Sequence, residues 1–379
     1  MNQKRFSANA LREGRIARGY NKTELASIVE VSRQSINLYE IGETEPRPDT
    51  LEKISRALQL PPTYFYRNPI DNFSLESPVF FRRLKRATEL AYEKANIKAK
   101  WHYSGYLELT KYLKRIEPNI QKFCLAPDFD FEKLNQDAIE DYARQLRSFW
   151  GLRHGPIIGL TPLLEKNGVL VFQIDIQTDM NGFSFYANGG IPFIVSGKNV
   201  TAGRNRFNLA HEIAHLVLHS TTDKNELTPE LFELIEDQAN RFAGAFLFPK
   251  ERFLDEFFTT DLNYLVDLKV KWGMSVTAIV RRAVNLGMLT ADEESRFYQR
   301  HRGIKSREPK DAEIQIEHPT FPKNGLQAIL DANLITIDDV KFELPYSNND
   351  LSEIFCFERN VFNTQRIATL SLVEFKESA

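Results

Sequence analysis

Cysteine is nearly absent from this 379-residue chain, and long apolar runs are missing altogether. Cys124 and Cys356 lie far apart without a C-x-x-C spacing, which excludes a disulfide framework and a cysteine-built metal site. No run of about 18 apolar residues occurs, and no apolar segment follows the basic start of the chain. We therefore expect a protein of the reducing cytoplasm that is neither secreted nor membrane-spanning.

Compositional extremes are missing as well. Hydrophobic residues make up 42% of the chain and charged residues 26%, which excludes wholesale disorder, collagen and coiled-coil classes. At about 150 residues per domain, the length predicts two or three domains.

The formal net charge of −2 is unevenly distributed along the chain. Residues 1–67 carry a net charge of +3 and residues 81–115 one of +7, whereas residues 116–379 carry −10. Lys and Arg side chains that neutralise phosphates release counterions, so a basic front half favours contact with a polyanion. The alternative is a charged surface that is merely solvated.

Residues 8–60 have the pattern of short helices separated by stop signals. Gly19 and Gly42 end two of these helices, and Asn21 and Ser32 occupy N-cap positions. Two helices joined by three or four residues, the second polar on one side, form the helix-turn-helix pattern.

The stretch LREGRIARGYNKTELASIVEVSRQSINLYEIGETEPRPDTLEKISRALQL resembles the Cro/cI-like (XRE) DNA-binding domain almost end to end. The likeness includes the LA pair of the second helix, the SRQSI opening of the third and the E-x-G-x-x-x-P exit at Glu40, Gly42 and Pro46. It implies a DNA-binding domain over residues 1–67, with a double-stranded DNA operator as partner. A domain that reads a palindrome is also expected to form a homodimer.

By this resemblance the third helix lies in the major groove and exposes Arg33, Gln34 and Asn37. Arg can bond guanine bidentately, and Gln or Asn can bond adenine, each contact worth about 1–3 kcal/mol of base discrimination. Lys22 stands where the family often has Gln, and we expect it to hold a phosphate. The alternative is a small helical bundle whose polar face is solvated.

Residues 68–125 are predicted to form a basic helical linker. The segments FRRLKRATELAYEKANIKAK and KYLKRI look helical and carry strong positive charge. One interpretation is a helical hairpin that contacts phosphate or forms a dimer. The other is a solvated spacer helix.

Downstream of the linker the pattern changes to an α+β layout. A buried strand is predicted over 169–176, and GFSFYANGGIPFIVSG predicts a hairpin with strands at 182–186 and 191–195. A helix over 207–219 follows directly.

That helix carries an H-E-x-x-H motif, His211-Glu212-Ile213-Ala214-His215. Residues four apart lie on one face, so both imidazoles can reach one ion, while Glu212 lies beside the open position of the metal. The motif predicts a zinc site. The alternative, two core histidines, requires several hydrogen-bond partners to offset the desolvation of these groups.

Zinc needs a third protein ligand, and spacing alone leaves it open. His219 lies about 12 Å along the helix axis from His211, too far to share an ion, and is expected to cap the helix end. The third His at the metzincin spacing is absent. The remaining candidates, on a helix predicted over 229–247, are Glu230, Glu233, Glu236 and Asp237.

The segment RNRFNLAHEIAHLVLH, followed by IEDQANRFAGAFLFP, resembles the ImmA/IrrE family of metallopeptidases, whose second helix has the form E-x-x-A-N-x-F-A. The likeness extends over roughly residues 131–290. It implies that the metal ligands are His211, His215 and Glu236, with Glu212 as the catalytic residue.

Helical periodicity agrees with Glu236. It shares one face with Ala239, Asn240 and Ala243, so the small residues would let this helix approach the first closely. Asp237 points about 100° away.

The predicted fold is therefore multidomain. An all-α helix-turn-helix head and a basic helical bridge precede an α+β zincin-like metallopeptidase domain over residues 126–299, with its H-E-x-x-H helix. Residues 300–379 form a small C-terminal unit without a motif, in which LQAILDANLITIDDVKF predicts helices and ATLSLVEF a strand.

The expected function is a DNA-binding transcriptional regulator with a Zn²⁺-dependent endopeptidase domain that cleaves a partner repressor, or itself, by metal-activated water. The scissile peptide is expected as an added strand along 191–195. Arg204 and Arg206 are expected to form structural salt bridges. In the alternative, the peptidase-like domain is a non-cleaving sensor or dimerisation module; Glu212 favours the enzyme, because metal binding needs only the three ligands.

Overall fold

The computed structural model of the chain describes residues 5–66, 89–126, 129–175, 182–187, 189–222, 227–357 and 361–363. Within these ranges the layout is multidomain, with a helical N-terminal region and a helix-rich region that contains a small mixed sheet. The predicted strand in ATLSLVEF and the FRRLKRAT part of the bridge lie outside the described residues.

The helices are numbered in chain order. The N-terminal region and the bridge contribute α1 (Ala8–Ala17), α2 (Lys22–Val29), α3 (Arg33–Glu40), α4 (Pro48–Leu58) and α5 (Glu89–Thr110). The region around the sheet contributes α6 (Gln136–Phe149), α7 (Leu160–Lys166), α8 (Ala202–Leu218), α9 (Pro229–Leu247), α10 (Lys250–Glu256), α11 (Leu262–Trp272), α12 (Val276–Asn285) and α13 (Ala291–Arg300). The last three are α14 (Phe321–Asp331), α15 (Ile337–Glu343) and α16 (Asn348–Ile354).

Side-chain caps and a buried ion pair organise the N-terminal bundle of α1–α4. Asn21 and Glu24 form a capping box at the start of α2, and Ser32 caps α3. Inside the bundle, Arg15 of α1 donates to both carboxylate oxygens of Glu40 in α3, at 2.5 and 2.9 Å. A buried pair of this kind requires such bidentate geometry to offset desolvation, and it holds α3 against α1.

Helix α5 is buried between the N-terminal bundle and the sheet. Trp101 belongs to the core that α1–α4 form, whereas Tyr103 and Tyr106 belong to the core on the sheet. Its lysines face acids of the protein: Lys100 donates to Glu13 of α1 at 2.6 Å. The alternative interpretation, a solvated spacer helix, is therefore wrong for α5.

The segment KYLKRI does not form the predicted helix, because α5 ends at Thr110 and a turn follows. The positive charge of the bridge had suggested a contact with phosphate. In α5, instead, the charge of Lys98 and Lys100 is neutralised by carboxylates that lie far away in sequence.

The C-terminal helices complete the core of the N-terminal bundle. The rings of Tyr64, Trp101 and Tyr346 form an aromatic cluster with centroid separations of 5.9, 5.8 and 4.9 Å. All three side chains are buried, and apolar residues of α14, α15 and α16 extend the same core. Elements separated by some 280 residues in sequence thus bury one continuous apolar surface.

An ion-pair network lies beside this aromatic cluster. Asp350 of α16 accepts two hydrogen bonds from Arg18 of α1, at 2.9 and 2.6 Å, and one from Lys98 of α5 at 2.8 Å. Burial alone would raise the pKa of Asp350, but Arg18 and Lys98 hold it well below its ordinary value. Glu353 extends the network by bonding Lys98 and Lys198, both at 3.0 Å.

The sheet consists, within the described residues, of β1 (Leu170–Ile174), β2 (Gly182–Ala187) and β3 (Ile191–Gly197) in the order β1-β3-β2. β3 is parallel to β1 and antiparallel to β2. All residues of these strands are buried, because α8 and its neighbours cover one face and α5 covers the other. Alternation along the strands sends Val171 and Ile194 to the α8 side and Phe172 and Phe193 to the α5 side.

The central place of β3 overturns one expectation. β2 pairs with residues 191–196 of β3 and β1 with residues 193–197, so a substrate strand cannot add along 191–195 as expected. The hairpin itself was predicted correctly, but its sequence does not show that β1 pairs with the second strand.

Two further features concern the surroundings of the sheet. Arg206 forms a salt bridge with Glu317, as expected, whereas Arg204 donates to the carbonyl of Lys305 instead of an acid. In the part of the chain that the structure describes, no helix has both the length and the apolar character needed to cross a membrane.

Replacing Asp350 with Asn is expected to lower the free energy of unfolding by about 3 kcal/mol, because two cations would then face a neutral amide in a buried site. Urea denaturation of the full chain measures this loss. Glu52→Gln is the matched control, since the Glu52–Arg56 pair is 61% and 76% exposed and exposed pairs stabilise little. Equal losses in the two variants would contradict the role given to Asp350.

The difference in the free energy of unfolding between the wild type and Asp350→Asn should also become smaller at acidic pH. A carboxyl group with a lowered folded-state pKa stabilises fully above its unfolded pKa of about 3.9 and loses this contribution as the pH falls towards the folded value. If this difference in unfolding free energy became larger on acidification, a titratable group other than Asp350 would be responsible for it.

Candidate functional site

Helices α8 and α9 bring three side chains to one point. His211 and His215 lie one turn apart on α8, with their Nε2 atoms 3.0 Å apart. Glu236 of α9 places Oε2 3.7 Å from Nε2 of His211 and Oε1 3.5 Å from Nε2 of His215. One ligand atom from each residue lies within 4.8 Å of the other two.

The other acids of α9 lie elsewhere. Glu230 and Glu233 are exposed, and Asp237 forms an exposed ion pair with Arg241 on the same helix, at 3.2 Å. Ala239 and Ala243 share the Glu236 face of α9 and are both fully buried. Glu236 is therefore the acid on the buried side of α9, next to the histidines.

A chain of hydrogen bonds fixes the tautomer of His215. Nε2 of Gln238 donates to the carbonyl of Phe131 at 2.8 Å, so Oε1 of Gln238 accepts from Nε2 of His219 at 2.9 Å. Burial lowers the pKa of His219 to about 3, so its Nδ1 carries no proton and accepts from Nδ1 of His215 at 3.2 Å. Nε2 of His215 is then left with a lone pair that points at the site.

His211 has the same arrangement through a different partner. Its Nδ1 donates to Oδ1 of Asn240 in α9 at 3.0 Å, which leaves Nε2 as the ligand atom. Two nitrogen lone pairs 3.0 Å apart and a carboxylate repel one another unless a positive charge, a proton or a metal cation, lies between them. Two imidazoles and one carboxylate are also the donor set that zinc accepts, so these residues fit a metal ion.

Glu212 is placed beside the three convergent side chains. Ser184 of β2 donates to Oε2 of Glu212 at 2.7 Å and to its backbone carbonyl at 3.1 Å. Burial raises the pKa of Glu212 to about 7. Gly182, the first residue of β2, lies next to Oε1 of Glu212 and has no side chain to fill this space.

Several of these partners were not identified from the sequence. His219 is the C-cap residue of α8, as expected, but the sequence does not show that its ring is buried and bonded to His215 and Gln238, or that Asn240 bonds His211. Gln238, two residues after Glu236, belongs to no sequence motif that would indicate its bond to His219. Ser184 comes from a strand whose position relative to α8 only the fold reveals.

The second candidate site is the outer face of α3. Arg33 and Gln34 are exposed, and Asn37 is half-buried one turn after Arg33. Lys22 at the start of α2 does not point freely into solvent: its Nζ donates to Oδ1 of Asn37 at 2.7 Å. The four residues thus form one polar surface.

Two segments match families of known proteins. Residues 11–65 match the helix-turn-helix family, and residues 164–284 match a peptidase family described as the IrrE N-terminal-like domain. No curated protein matches the chain. The chain therefore joins an XRE-type helix-turn-helix domain to an ImmA/IrrE-like domain of a metallopeptidase family, and such a family implies a metal cofactor.

Replacing His219 with Leu is expected to weaken metal binding about 10- to 100-fold, because His215 loses the acceptor that orients its ring. Competition between the protein and a chromophoric chelator for Zn²⁺ measures this affinity without any assay of activity. His219→Asn, whose side-chain oxygen can accept from His215, should recover part of the loss.

The matched control is His154→Leu, which removes an exposed histidine. Its metal affinity should equal that of the wild type. If His219→Leu also bound zinc like the wild type, the hydrogen-bond chain would have no part in orienting His215.

Proposed function

We propose that this protein is a DNA-binding transcriptional regulator whose ImmA/IrrE-like domain is a zinc-dependent endopeptidase. The observation that carries the proposal is the convergence of His211, His215 and Glu236 within 4.8 Å beside the buried carboxylate of Glu212. Metal binding alone needs only the first three residues. Glu212 has no part in holding the ion, and we assign it to catalysis.

We assign metal binding and proton transfer to different residues of the site. His211, His215 and Glu236 hold the ion; when bound, zinc acts as a Lewis acid that activates water and polarises a peptide carbonyl. Ser184 holds Oε2 of Glu212 at 2.7 Å, so we assign Oε1 to the transfer of the proton from the attacking water to the leaving amine. We propose that the substrate approaches the half of the carboxylate beside Gly182, because that residue adds no side chain next to Oε1.

The place of the substrate follows from the sheet. β3 is excluded because it is paired on both sides. Among the strands that the structure describes, β2 is an outer strand and carries Ser184 against Glu212. We propose that the scissile peptide runs alongside β2, with its carbonyl between Glu212 and the metal ligands. An extended protein segment fits such a site, and the substrate class we propose is a partner repressor or this chain itself.

We assign recognition of the DNA operator to the N-terminal bundle. Arg33, Gln34 and Asn37 are proposed to contact base edges of an operator in the major groove, with Lys22 supporting this surface. A homodimer that presents two such helices to a palindrome is the assembly we propose.

Glu212→Gln is expected to keep zinc and lose cleavage, because the amide cannot accept the proton of the attacking water. Glu236→Ala is expected to lose zinc, because one of three ligands is removed. Elemental analysis gives the metal content, and mass spectrometry of a peptide library incubated with each protein gives the cleavage. Loss of zinc in Glu212→Gln would contradict the roles assigned here.

The control is Glu233→Ala, which removes an exposed carboxylate three residues before Glu236 on α9. It should bind zinc and cleave like the wild type. If the zinc-loaded wild type cleaved none of three substrates, namely the peptide library, its own chain and a co-purified repressor, the domain would be a non-cleaving sensor.

Replacing Arg33 and Gln34 with Ala is expected to weaken binding to the operator, relative to non-specific DNA, by about 1–3 kcal/mol for each lost base contact. Fluorescence anisotropy with operator and scrambled duplexes at one salt concentration measures the ratio. Arg56→Ala, on α4, is the control for the loss of one positive charge. An unchanged ratio in the double variant would mean that another surface reads the bases.

A further inference from the structure

A group of exposed cations lies beside the start of α8. Residues 296–307 contain five Lys or Arg residues and no Asp or Glu, although residues 116–379 as a whole carry a net charge of −10. Arg204 of α8 donates to the backbone carbonyl of Lys305, so the start of α8 lies against this segment. We call four exposed side chains the basic patch: Arg204, Arg302, Lys305 and Arg307.

The backbone that carries the patch is held against the rest of the domain. The N–H group of Arg307 donates to the carbonyl of Gly303 at 3.0 Å, and Ile304 is buried in the core around α8. Nζ of Lys305 lies 4.0 Å from the centre of the Tyr298 ring. A partner of the patch would therefore have little backbone to order on binding.

The nearest acids of the chain do not neutralise the patch. Glu308 follows it directly, but its side chain is 4% exposed and pairs with the buried Lys269 at 3.0 Å. Asp311 bonds the same lysine. Among the residues that the structure describes, no carboxylate forms an ion pair with any of the four patch cations. Their charge is available to a partner of opposite sign.

The patch lies at one end of the α8 face that carries the candidate site. Arg204, Asn208, His211 and His215 follow one another at spacings of four, three and four residues, so they share this face. Arg204 is exposed, Asn208 and His211 are half-buried, and His215 is buried. Within the described residues, the face is thus open at Arg204 and closes at the metal ligands.

The direction of β2 connects the patch to the proposed substrate. Ser184 donates to the carbonyl of Glu212, and Tyr186 donates to the carbonyl of Leu216, so β2 and α8 run in the same direction. A peptide alongside β2 that continues past the start of the strand approaches the start of α8. Arg204 precedes Glu212 by about 12 Å along the helix axis, a distance that an extended peptide covers in three or four residues.

We propose that the basic patch binds an Asp or Glu side chain three or four residues from the scissile bond, and so makes the site selective for an acidic segment of its protein substrate. The inference rests on the proposed peptidase function and deepens it by naming the substrate class. Guanidinium groups bind carboxylates bidentately, and the bond to Lys305 leaves donors of Arg204 free for this contact. A DNA duplex fits less well, because its phosphates would extend beyond the patch over a body of net charge −10.

The test measures binding of two fluorescein-labelled pools of random decapeptides. One pool has two fixed central Glu residues, and the other has Gln at both positions. The protein is the zinc-loaded, full-length Glu212→Gln variant, which is expected to leave the probes uncut. We expect fluorescence anisotropy to show about fivefold tighter binding of the Glu pool, with a difference that decreases as salt is added.

Replacing Arg302 and Lys305 together with Gln in this protein is expected to bring the ratio of the two affinities close to one. The bond from Arg204 is kept, because it is made to the backbone of Lys305. Replacing the same two residues with Glu should make the protein prefer a pool with two central Lys residues, a reversal that misfolding would not produce. Lys310→Gln is the matched control, since Lys310 is already paired with Asp267 at 3.1 Å, and it should keep the preference for the Glu pool.

Equal affinity for the Glu and Gln pools, or a preference that persists in the double Gln variant, would overturn the inference. So would a double Gln variant that lost affinity for a scrambled DNA duplex but not for the Glu pool, because the patch would then bind DNA.

Cleavage separates this inference from the proposed function. In a peptide library cut by the zinc-loaded wild type, mass spectrometry should find Asp or Glu enriched three or four residues from the cut, on one side. Cuts without this enrichment would contradict the inference and leave the peptidase function intact. A library left uncut would contradict the peptidase function, while the binding experiment still decides whether the patch selects acidic peptides.

Discussion

Burial of α5 on two opposite sides is the constraint on which the arrangement of the chain depends. Trp101 faces the N-terminal bundle while Tyr103 and Tyr106 face the sheet, so neither partner of this helix can be removed without exposing aromatic surface. The other face of the sheet is covered by α8 and its neighbours. The helix-turn-helix bundle and α8, the helix that carries His211 and His215, are therefore attached to one framework through two layers of side chains.

The candidate metal site and the outer face of α3 share one feature: in each, a chain of polar contacts leads from a buried group to a candidate site residue. The carbonyl of Phe131 determines, through Gln238 and His219, which nitrogen of His215 faces Glu236. Through Oε2 of Glu40, which lies 3.6 Å from Nζ of Lys22, the Arg15–Glu40 pair fixes the group that donates to Oδ1 of Asn37.

Sequence reasoning succeeded where chemistry is local. Caps at Asn21 and Ser32 and the H-E-x-x-H helix follow from spacings of a few residues. The choice of Glu236 on α9 came from the family resemblance, with which helical spacing agrees. Sequence reasoning failed where the partner is remote. The bonds of Lys98 to Asp350 and of Ser184 to Glu212 join residues 252 and 28 positions apart, and neither composition nor periodicity contains that pairing.

The aromatic cluster has a consequence for how the protein is made. A ribosome releases the chain from its N-terminus, so Tyr64 and Trp101 emerge long before Tyr346, the third member of their cluster. Until α16 has been synthesised, the nascent protein carries an uncovered apolar patch, and Arg18 lacks the carboxylate of Asp350 as an acceptor. The core of the N-terminal bundle can therefore be completed only after some 280 further residues have followed Tyr64.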